Sequence, residues 1–198
     1  MEDYTVLAFT EPTLFHRLLE KMSRHIHLRT AEVSRRFPGR LWRIYGPEAA
    51  TAPFLPQHLF DEFVVRYTGP MVQMIQQYGG FARAHCHGRI RSVLPYFVRM
   101  GCAAIDPLEP PPQGDIALSE IRRDYGKDLV LFGNLEISDV ENMPPAAFEK
   151  VVRQSLQDGT AGDGKGFVLM PSASPYGRTI TPTALANYET MVRLAKQG

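Results

Sequence analysis

The stretch Phe81-Ala-Arg-Ala-His85-Cys86-His87-Gly88 follows a glycine pair and is predicted to form a short strand that ends in a polar cluster. His85 and His87 are two residues apart, so their side chains project to the same side of an extended segment. Imidazole nitrogen is a common metal ligand and a general acid or base near neutral pH. Gly88 allows the chain to turn sharply after the cluster. The stretch therefore predicts a strand whose carboxyl end carries groups suited to chemistry.

Other apolar segments of the chain end in the same way. Strands are predicted at 41–45, 102–105, 128–132 and 166–170, and helices at 13–36, 57–78, 91–99, 118–125, 144–156 and 183–196. Polar residues follow the strands, namely Glu48, Asp106 with Glu109, Asn134 with Glu136, and Ser172 with Ser174. Apolar strands that alternate with helices indicate an α/β fold with a parallel sheet, whose functional groups gather at the carboxyl ends of the strands.

Several local features are less regular, and each carries its own expectation. Residues 4–9 fit either a strand or a loop, Gly69-Pro70 is expected to kink or divide its helix, and Asp115 is expected to cap the helix at 118–125. Helical spacing predicts an apolar face on two helices, one made of Leu14, Leu18, Met22 and Ile26 and the other of Leu185, Tyr188, Met191 and Val192.

Composition narrows the class of protein. The chain has 198 residues, of which 44% are hydrophobic and 22% charged, as is usual for a globular domain. Its net charge of +1 gives no indication of nucleic-acid or anionic-membrane binding, and no apolar run is long enough to span a bilayer. The start, Met-Glu-Asp-Tyr, is acidic and unlike a signal peptide, and two cysteines are too few for a disulfide framework. We therefore expect a cytoplasmic protein.

The order and spacing of several stretches resemble the uroporphyrinogen decarboxylase superfamily over roughly residues 12 to 196. These stretches are His-Cys-His-Gly at 85–88, Gly101-Cys-Ala-Ala-Ile-Asp106, Gly126-Lys-Asp-Leu-Val-Leu-Phe-Gly-Asn134-Leu-Glu136, Gly166-Phe-Val-Leu-Met-Pro171 with Asn187 behind it, and Pro56-Gln-His-Leu-Phe-Asp-Glu-Phe-Val64. The resemblance implies a (β/α)₈ barrel, of which this chain holds about five C-terminal units. We therefore expect one N-terminally truncated domain over residues 1–198, which would either form a homo-oligomer through its open barrel edge or be poorly stable alone.

The resemblance favours the corrinoid-dependent methyltransferase branch, which uses zinc to activate a thiol. His85 and Gly88 match that branch's His-x-Cys-Gly motif, whereas His87 stands in place of its cysteine and a later cysteine is absent near Ala173. We expect His85, His87 and Glu109 to bind zinc. Glu109 would complete or orient the metal site, and Asn134 and Glu136 would line the pocket. A small-molecule substrate and a corrinoid protein as partner are implied by the resemblance.

Two other interpretations remain open. The decarboxylase branch acts on the tetrapyrrole uroporphyrinogen in porphyrin biosynthesis without metal or cofactor, and Arg89, Arg91 and Arg178 are the basic residues nearest the strand ends. A non-catalytic truncated domain that only binds or pairs is the third interpretation. Each candidate also has a structural alternative: the two histidines could fix a loop, Glu109 could be a solvated loop acid, and Asn134 could tie a turn.

Overall fold

The computed structural model describes residues 2–197 and divides into two compact units, Met1–Ala104 and Ile105–Gly198. Within residues 2–197, five strands alternate with helices, and their order in the sheet is β1-β2-β3-β4-β5. This arrangement confirms the predicted α/β class and the predicted five β/α units. No helix within residues 2–197 is both long and apolar enough to cross a bilayer.

The first unit contains a helical layer and two paired strands. Its elements are α1 (Glu2–Thr10), α2 (Pro12–Arg36), β1 (Leu41–Ile44), a 3₁₀ turn (Pro47–Ala50), α3 (Gln57–Phe60), a π-helical turn (Asp61–Val65), α4 (Arg66–Gln77), β2 (Phe81–His85) and α5 (Leu94–Met100). The short strand β3 (Ala104–Asp106) begins at the last residue of this unit.

Strands β1 and β2 are parallel, and their register decides which side chains share a face. Arg43 is level with Arg83, and Ile44 is level with Ala84. Ile44 and Ala84 are buried. Because side chains alternate along a strand, the arginines and His85 lie on the opposite face from these buried residues.

Helices α1 and α2 differ from the sequence prediction. Residues 4–9 are helical rather than extended, and Tyr4 packs edge-on against Phe15 of α2 at 5.1 Å between ring centroids. Phe15 in turn contacts Phe63 at 4.7 Å. The predicted apolar face of α2 is not buried, because the helix is held through Phe15, Thr30 and Ser34 instead.

The helix that contains Gly69-Pro70 is not divided there. Helix α4 continues through Pro70, and the irregular turn lies one turn earlier, at Asp61–Val65. Proline has no N–H to donate to the carbonyl of Arg66, and its ring crowds that carbonyl. The wide turn ends at Arg66, whose N–H donates to the Asp61 carbonyl. The local widening thus accommodates the proline without ending the helix.

The second unit follows the same strand-then-helix order. Its elements after β3 are α6 (Leu118–Tyr125), β4 (Val130–Leu135), α7 (Ile137–Asn142), α8 (Pro145–Thr160), β5 (Phe167–Pro171) and α9 (Pro182–Ala195). Strands β4 and β5 are parallel, with Asn134 level with Met170. The buried core lies behind them and consists of Leu135, Ile137, Val140, Phe148, Val152, Met191 and Leu194.

Two predicted details of this unit differ from the structure. Asp115 is not the N-cap residue of α6, because Ala117 holds that position. In the predicted apolar face of α9, Met191 is buried and Tyr188 packs against the core, whereas Leu185 and Val192 are more than half exposed. The reason is Asn187, which is fully buried and donates to the carbonyls of Val140 (3.0 Å) and Met143 (2.9 Å). This polar anchor turns the helix away from the orientation that its apolar pattern predicts.

Candidate functional site

Arg43 joins two aromatic rings at the carboxyl ends of β1 and β2. Its Nη2 donates to Nδ1 of His85 at 2.8 Å, and its Nη1 donates to the Tyr45 hydroxyl oxygen at 2.7 Å. A guanidinium can only donate hydrogen bonds, so His85 Nδ1 and the Tyr45 hydroxyl oxygen are both acceptors. Neutral His85 therefore carries its proton on Nε2, and the Tyr45 hydroxyl keeps its own proton for donation to another group.

His87 completes this group, which we term the strand-end cluster (Arg43, Tyr45, His85 and His87). The rings of His85 and His87 meet edge to face, with centroids 4.5 Å apart, as their spacing predicted. The Tyr45 ring lies 4.9 Å from His85, and the Arg43 guanidinium lies 4.7 Å from the Tyr45 centroid. His85 is 8% exposed, whereas Tyr45 is 63% exposed. The cluster thus extends from a buried imidazole to a solvent-accessible phenol.

The local sequence explains how this cluster forms. Residues 43 and 45 alternate with buried Ile44, and residues 83, 85 and 87 alternate with buried Ala84 and Cys86. Gly88 follows with φ of 79°, so the predicted sharp turn is present. Arg43 and Tyr45 are members of the cluster that were not predicted from the sequence. The Arg-x-Tyr and Arg-x-His-x-His alternation was the available signal, but using it required the strand register.

Glu136 lies in the second unit at the junction of β4 and α7. The hydroxyl of Ser172, which follows β5, donates to Glu136 Oε2 at 3.3 Å and accepts from the backbone N–H of Ile137 at 3.1 Å. Ser172 therefore satisfies the first N–H of α7 in the manner of a helix cap. This geometry gives Glu136 and Ser172 a structural role, and the predicted pocket-lining role of Glu136 stays a prediction.

Asn134 is placed within β4 rather than after it. The residue is 8% exposed, and its side-chain oxygen accepts a hydrogen bond from the Ser155 hydroxyl of α8 at 2.9 Å. It borders a cavity of about 260 Å³ whose walls include Pro110, Pro111, Leu118, Val151 and Ser155. Glu109 is half-buried in the segment that precedes this wall. Substrate contact by either residue stays a prediction.

Comparison with known proteins identifies the family. A family model described as "Uroporphyrinogen decarboxylase (URO-D)" matches residues 1–198. The chain belongs to the uroporphyrinogen decarboxylase family. The resemblance found in the sequence motifs is thereby confirmed, whereas the branch within the superfamily is not decided by this match. A search of curated proteins found no matching relative.

The hydrogen bonding of His85 opposes the zinc site predicted from the methyltransferase branch. A metal-bound imidazole normally donates its second N–H to an acceptor, which leaves the other nitrogen for the metal. In His85 the polarity is reversed, because Nδ1 accepts from Arg43 and the proton sits on Nε2. Zinc binding by His85 would require the Arg43 bond to break. As arranged, His85 does not fit a zinc ion.

The part of the chain that the structure describes also provides no converging set of zinc ligands, and the Cys102 thiol is protonated. Within residues 2–197, no three or more His, Cys, Asp or Glu side chains converge as metal ligands. Cys86 and Cys102 are both buried. Burial raises the pKa of the Cys102 thiol to about 12, so this thiol stays protonated near neutral pH.

A second hydrogen-bonded histidine lies away from the strand-end cluster. His16 of α2 contacts the Tyr67 hydroxyl through Nδ1 at 2.8 Å and a Glu62 carboxylate oxygen through Nε2 at 2.6 Å. Glu62 lies in the π-helical turn and Tyr67 in α4. The three side chains tie α2 to the neighbouring helix, and desolvation raises the pKa of Tyr67. Their role in this family member is structural.

Proposed function

We propose that this member of the uroporphyrinogen decarboxylase family binds a carboxylated small molecule of the tetrapyrrole class at the strand-end cluster. The observation that carries the proposal is the pair of hydrogen bonds from Arg43 to Tyr45 and His85. Both rings accept from Arg43 and so keep a proton for an acceptor ligand. A carboxylate is acceptor-only, whereas a metal ion needs the lone pair that Arg43 occupies.

Arginine geometry supports the same ligand class. Arg43 and Arg83 stand level on adjacent parallel strands and project from the same face. Guanidinium groups match carboxylates in shape and form short, charge-assisted hydrogen bonds with them. A substrate with several carboxylates can therefore be oriented by this face, with its outermost acid group at the exposed Tyr45 hydroxyl.

Decarboxylation follows from the chemistry that the cluster can supply. When a carboxylate side chain loses CO₂, the electron pair of the broken C–C bond stays on carbon and must take up a proton. The His85 imidazole, held in its Nε2–H form by Arg43, can donate a hydrogen bond to a substrate carboxylate, while solvent water supplies the proton to carbon and CO₂ leaves as bicarbonate. We assign His85, Tyr45 and Arg43 as carboxylate-orienting residues, and no metal to this reaction.

Binding of a stable porphyrin tests the proposal. We expect uroporphyrin, the oxidised form of the family substrate, to bind the purified chain, and its fully methyl-esterified form to bind far more weakly. Arg43→Met and Tyr45→Phe should weaken uroporphyrin binding, by about tenfold or more for Arg43, since hydrogen bonds to charged groups contribute about 1.5–3 kcal/mol. Arg153→Met, on exposed α8, is the matched control. Equal binding of acid and ester would refute the proposal.

A zinc-assisted, corrinoid-linked methyltransferase is the second candidate function. It is favoured by one observation, the contact between the His85 and His87 rings at 4.5 Å. It would use His85, His87 and Glu109 as ligands and a corrinoid protein as partner, and it requires His85 to leave Arg43. The zinc content of the purified chain separates it from the first proposal.

The non-catalytic interpretation makes its own prediction. A folded chain that binds neither uroporphyrin nor zinc would favour a domain that only binds or pairs with another chain. Self-association through an open barrel edge, predicted from the sequence, would then appear as a dimer in sedimentation velocity. If the chain is a monomer and binds neither ligand, pairing with a different protein would be the remaining interpretation.

A further inference from the structure

Helix α2 exposes an apolar stripe to solvent. Leu14, Leu18, Met22 and Ile26 recur every fourth residue and are between 43% and 53% exposed. They extend over about 18 Å, given a rise of about 1.5 Å per residue. The residues of α2 that are buried against its neighbours are Phe15, Thr30 and Ser34, whereas the stripe residues beside them stay uncovered. The stripe is therefore outside the core of the first unit.

A row of basic residues runs beside the stripe. Arg17, Lys21, Arg24 and Arg29 are exposed, and none of them forms an ion pair with another residue of the described chain. The acidic residues of the same helix are already engaged: Glu20 pairs with Arg66, and Glu32 pairs with Arg35 and Arg36. Although the whole chain carries a net charge of only +1, α2 has six Lys or Arg residues against two Glu residues and is therefore locally basic.

We propose that the exposed face of α2 docks on an anionic phospholipid membrane surface. Such a surface offers apolar depth for the stripe and negative charge for the basic row, which are the two properties this face complements. The inner side of α2 is covered, so a groove in a protein partner could not surround the helix, whereas a planar surface can contact the whole stripe. This docking is independent of the proposed tetrapyrrole site.

Vesicle sedimentation of the full chain tests the docking surface. We expect binding to vesicles of phosphatidylcholine mixed with phosphatidylserine, little binding to pure phosphatidylcholine, and loss of binding at high salt. Lys21→Glu with Arg24→Glu should weaken binding by about tenfold or more, since each basic residue near an anionic surface contributes about a factor of five. Leu18→Ser with Met22→Ser should weaken it as well, because the apolar contact is removed.

Matched controls keep the test specific. Lys127→Glu with Lys150→Glu makes the same change in net charge at exposed positions of the second unit, and Leu185→Ser with Val192→Ser removes equally exposed apolar side chains from α9. Both controls should bind mixed vesicles as the parent chain does, with unchanged circular dichroism. Absence of binding to mixed vesicles at low salt overturns the proposal. So does a dimer, seen by sedimentation, that the stripe variant alone dissociates, because a second copy would then be the occupant.

Discussion

Nη2 of Arg43 lies 2.8 Å from Nδ1 of His85, although the two residues are 42 positions apart in the chain. The bond connects neighbouring parallel strands and selects one of the two neutral forms of the imidazole. Since the guanidinium has no lone pair to offer, the proton of neutral His85 must be on Nε2. This single contact separates a histidine that donates a hydrogen bond through Nε2 from one that binds a metal.

The tautomer of His85 is the first prediction. Nitrogen-15 NMR of the histidine rings should show neutral His85 in the Nε2–H form in the parent chain. In Arg43→Met, which keeps a long side chain but has no donor, we expect a mixture of both neutral forms. Arg89→Met, at an exposed position after the cluster, should leave the spectrum of His85 unchanged. An Nδ1–H form in the parent chain would contradict the assigned hydrogen bond, whatever the ligand turns out to be.

Zinc content is the second prediction. We expect the purified chain to hold far less than one zinc ion per molecule and to keep its fold in the presence of a chelator, because Arg43 occupies the Nδ1 lone pair of His85. Elemental analysis after gel filtration measures this directly. A tightly held zinc that is lost in His85→Ala and His87→Ala, but retained in the exposed-site control His58→Ala, would instead establish the methyltransferase-type site.

Gly159 of α8 gives the third prediction, which concerns stability. A Cβ at this position would lie 2.5 Å from ring atoms of Phe167, the first residue of β5. Gly159→Ala should therefore lower the free energy of unfolding by about 1–3 kcal/mol despite the higher helix propensity of alanine. Urea denaturation measures the change, and Thr160→Ala, the exposed neighbour, should alter stability by less than about 0.5 kcal/mol. A stabilised Gly159→Ala protein would show that the ring can move aside.

The strand and helix order of this fold follows from the sequence, but several boundaries do not. Gly133-Asn134 was expected to follow β4, since glycine and asparagine favour turns. The strand continues to Leu135 because Asn134 is level with Met170 of β5 and its side chain accepts from Ser155. The partners lie 21 residues or more away in the chain, so local propensity could not reveal them.

The apolar pattern of α2 did not predict which side of the helix is buried, for a related reason. Spacing of four residues correctly predicted a helix, but it could not say which side would be covered. Phe15 contacts the ring of Phe63, and His16 forms a hydrogen bond with Glu62. Both partners lie in the later π-helical turn. The buried side of α2 is thus chosen by residues more than 45 positions away, and the apolar stripe remains outside.

The sequence predicted the two histidines of the candidate site but not Arg43 and Tyr45, again because distant residues decide the rest. Contact between His85 and His87 depends only on alternation along one strand, which sequence spacing encodes. The contributions of Arg43 and Tyr45 depend on the register between β1 and β2, and one residue of slippage would turn both side chains to the helical layer. Register is a tertiary property, so only the structure reveals that Arg43 contacts His85.

Alkaline pH gives the fourth prediction, through the buried thiol of Cys102. Burial raises its pKa from an ordinary value of 9.0 to about 12, because the thiolate would be poorly solvated. Between these values the unfolded chain loses the proton and the folded chain keeps it, so the free energy of unfolding falls as pH rises above about 9. At about pH 10 this loss should be about 1 kcal/mol, since one pKa unit corresponds to about 1.4 kcal/mol.

Urea denaturation at rising pH should therefore show a shallower decline in the free energy of unfolding for Cys102→Ala than for the parent chain. Val98→Ala, which removes no ionisable group, should have a lower free energy of unfolding at every pH, and this free energy should fall with pH at the same slope as in the parent chain. An identical slope in Cys102→Ala would mean that other groups, such as the tyrosines whose pKa burial also raises, account for the alkaline sensitivity.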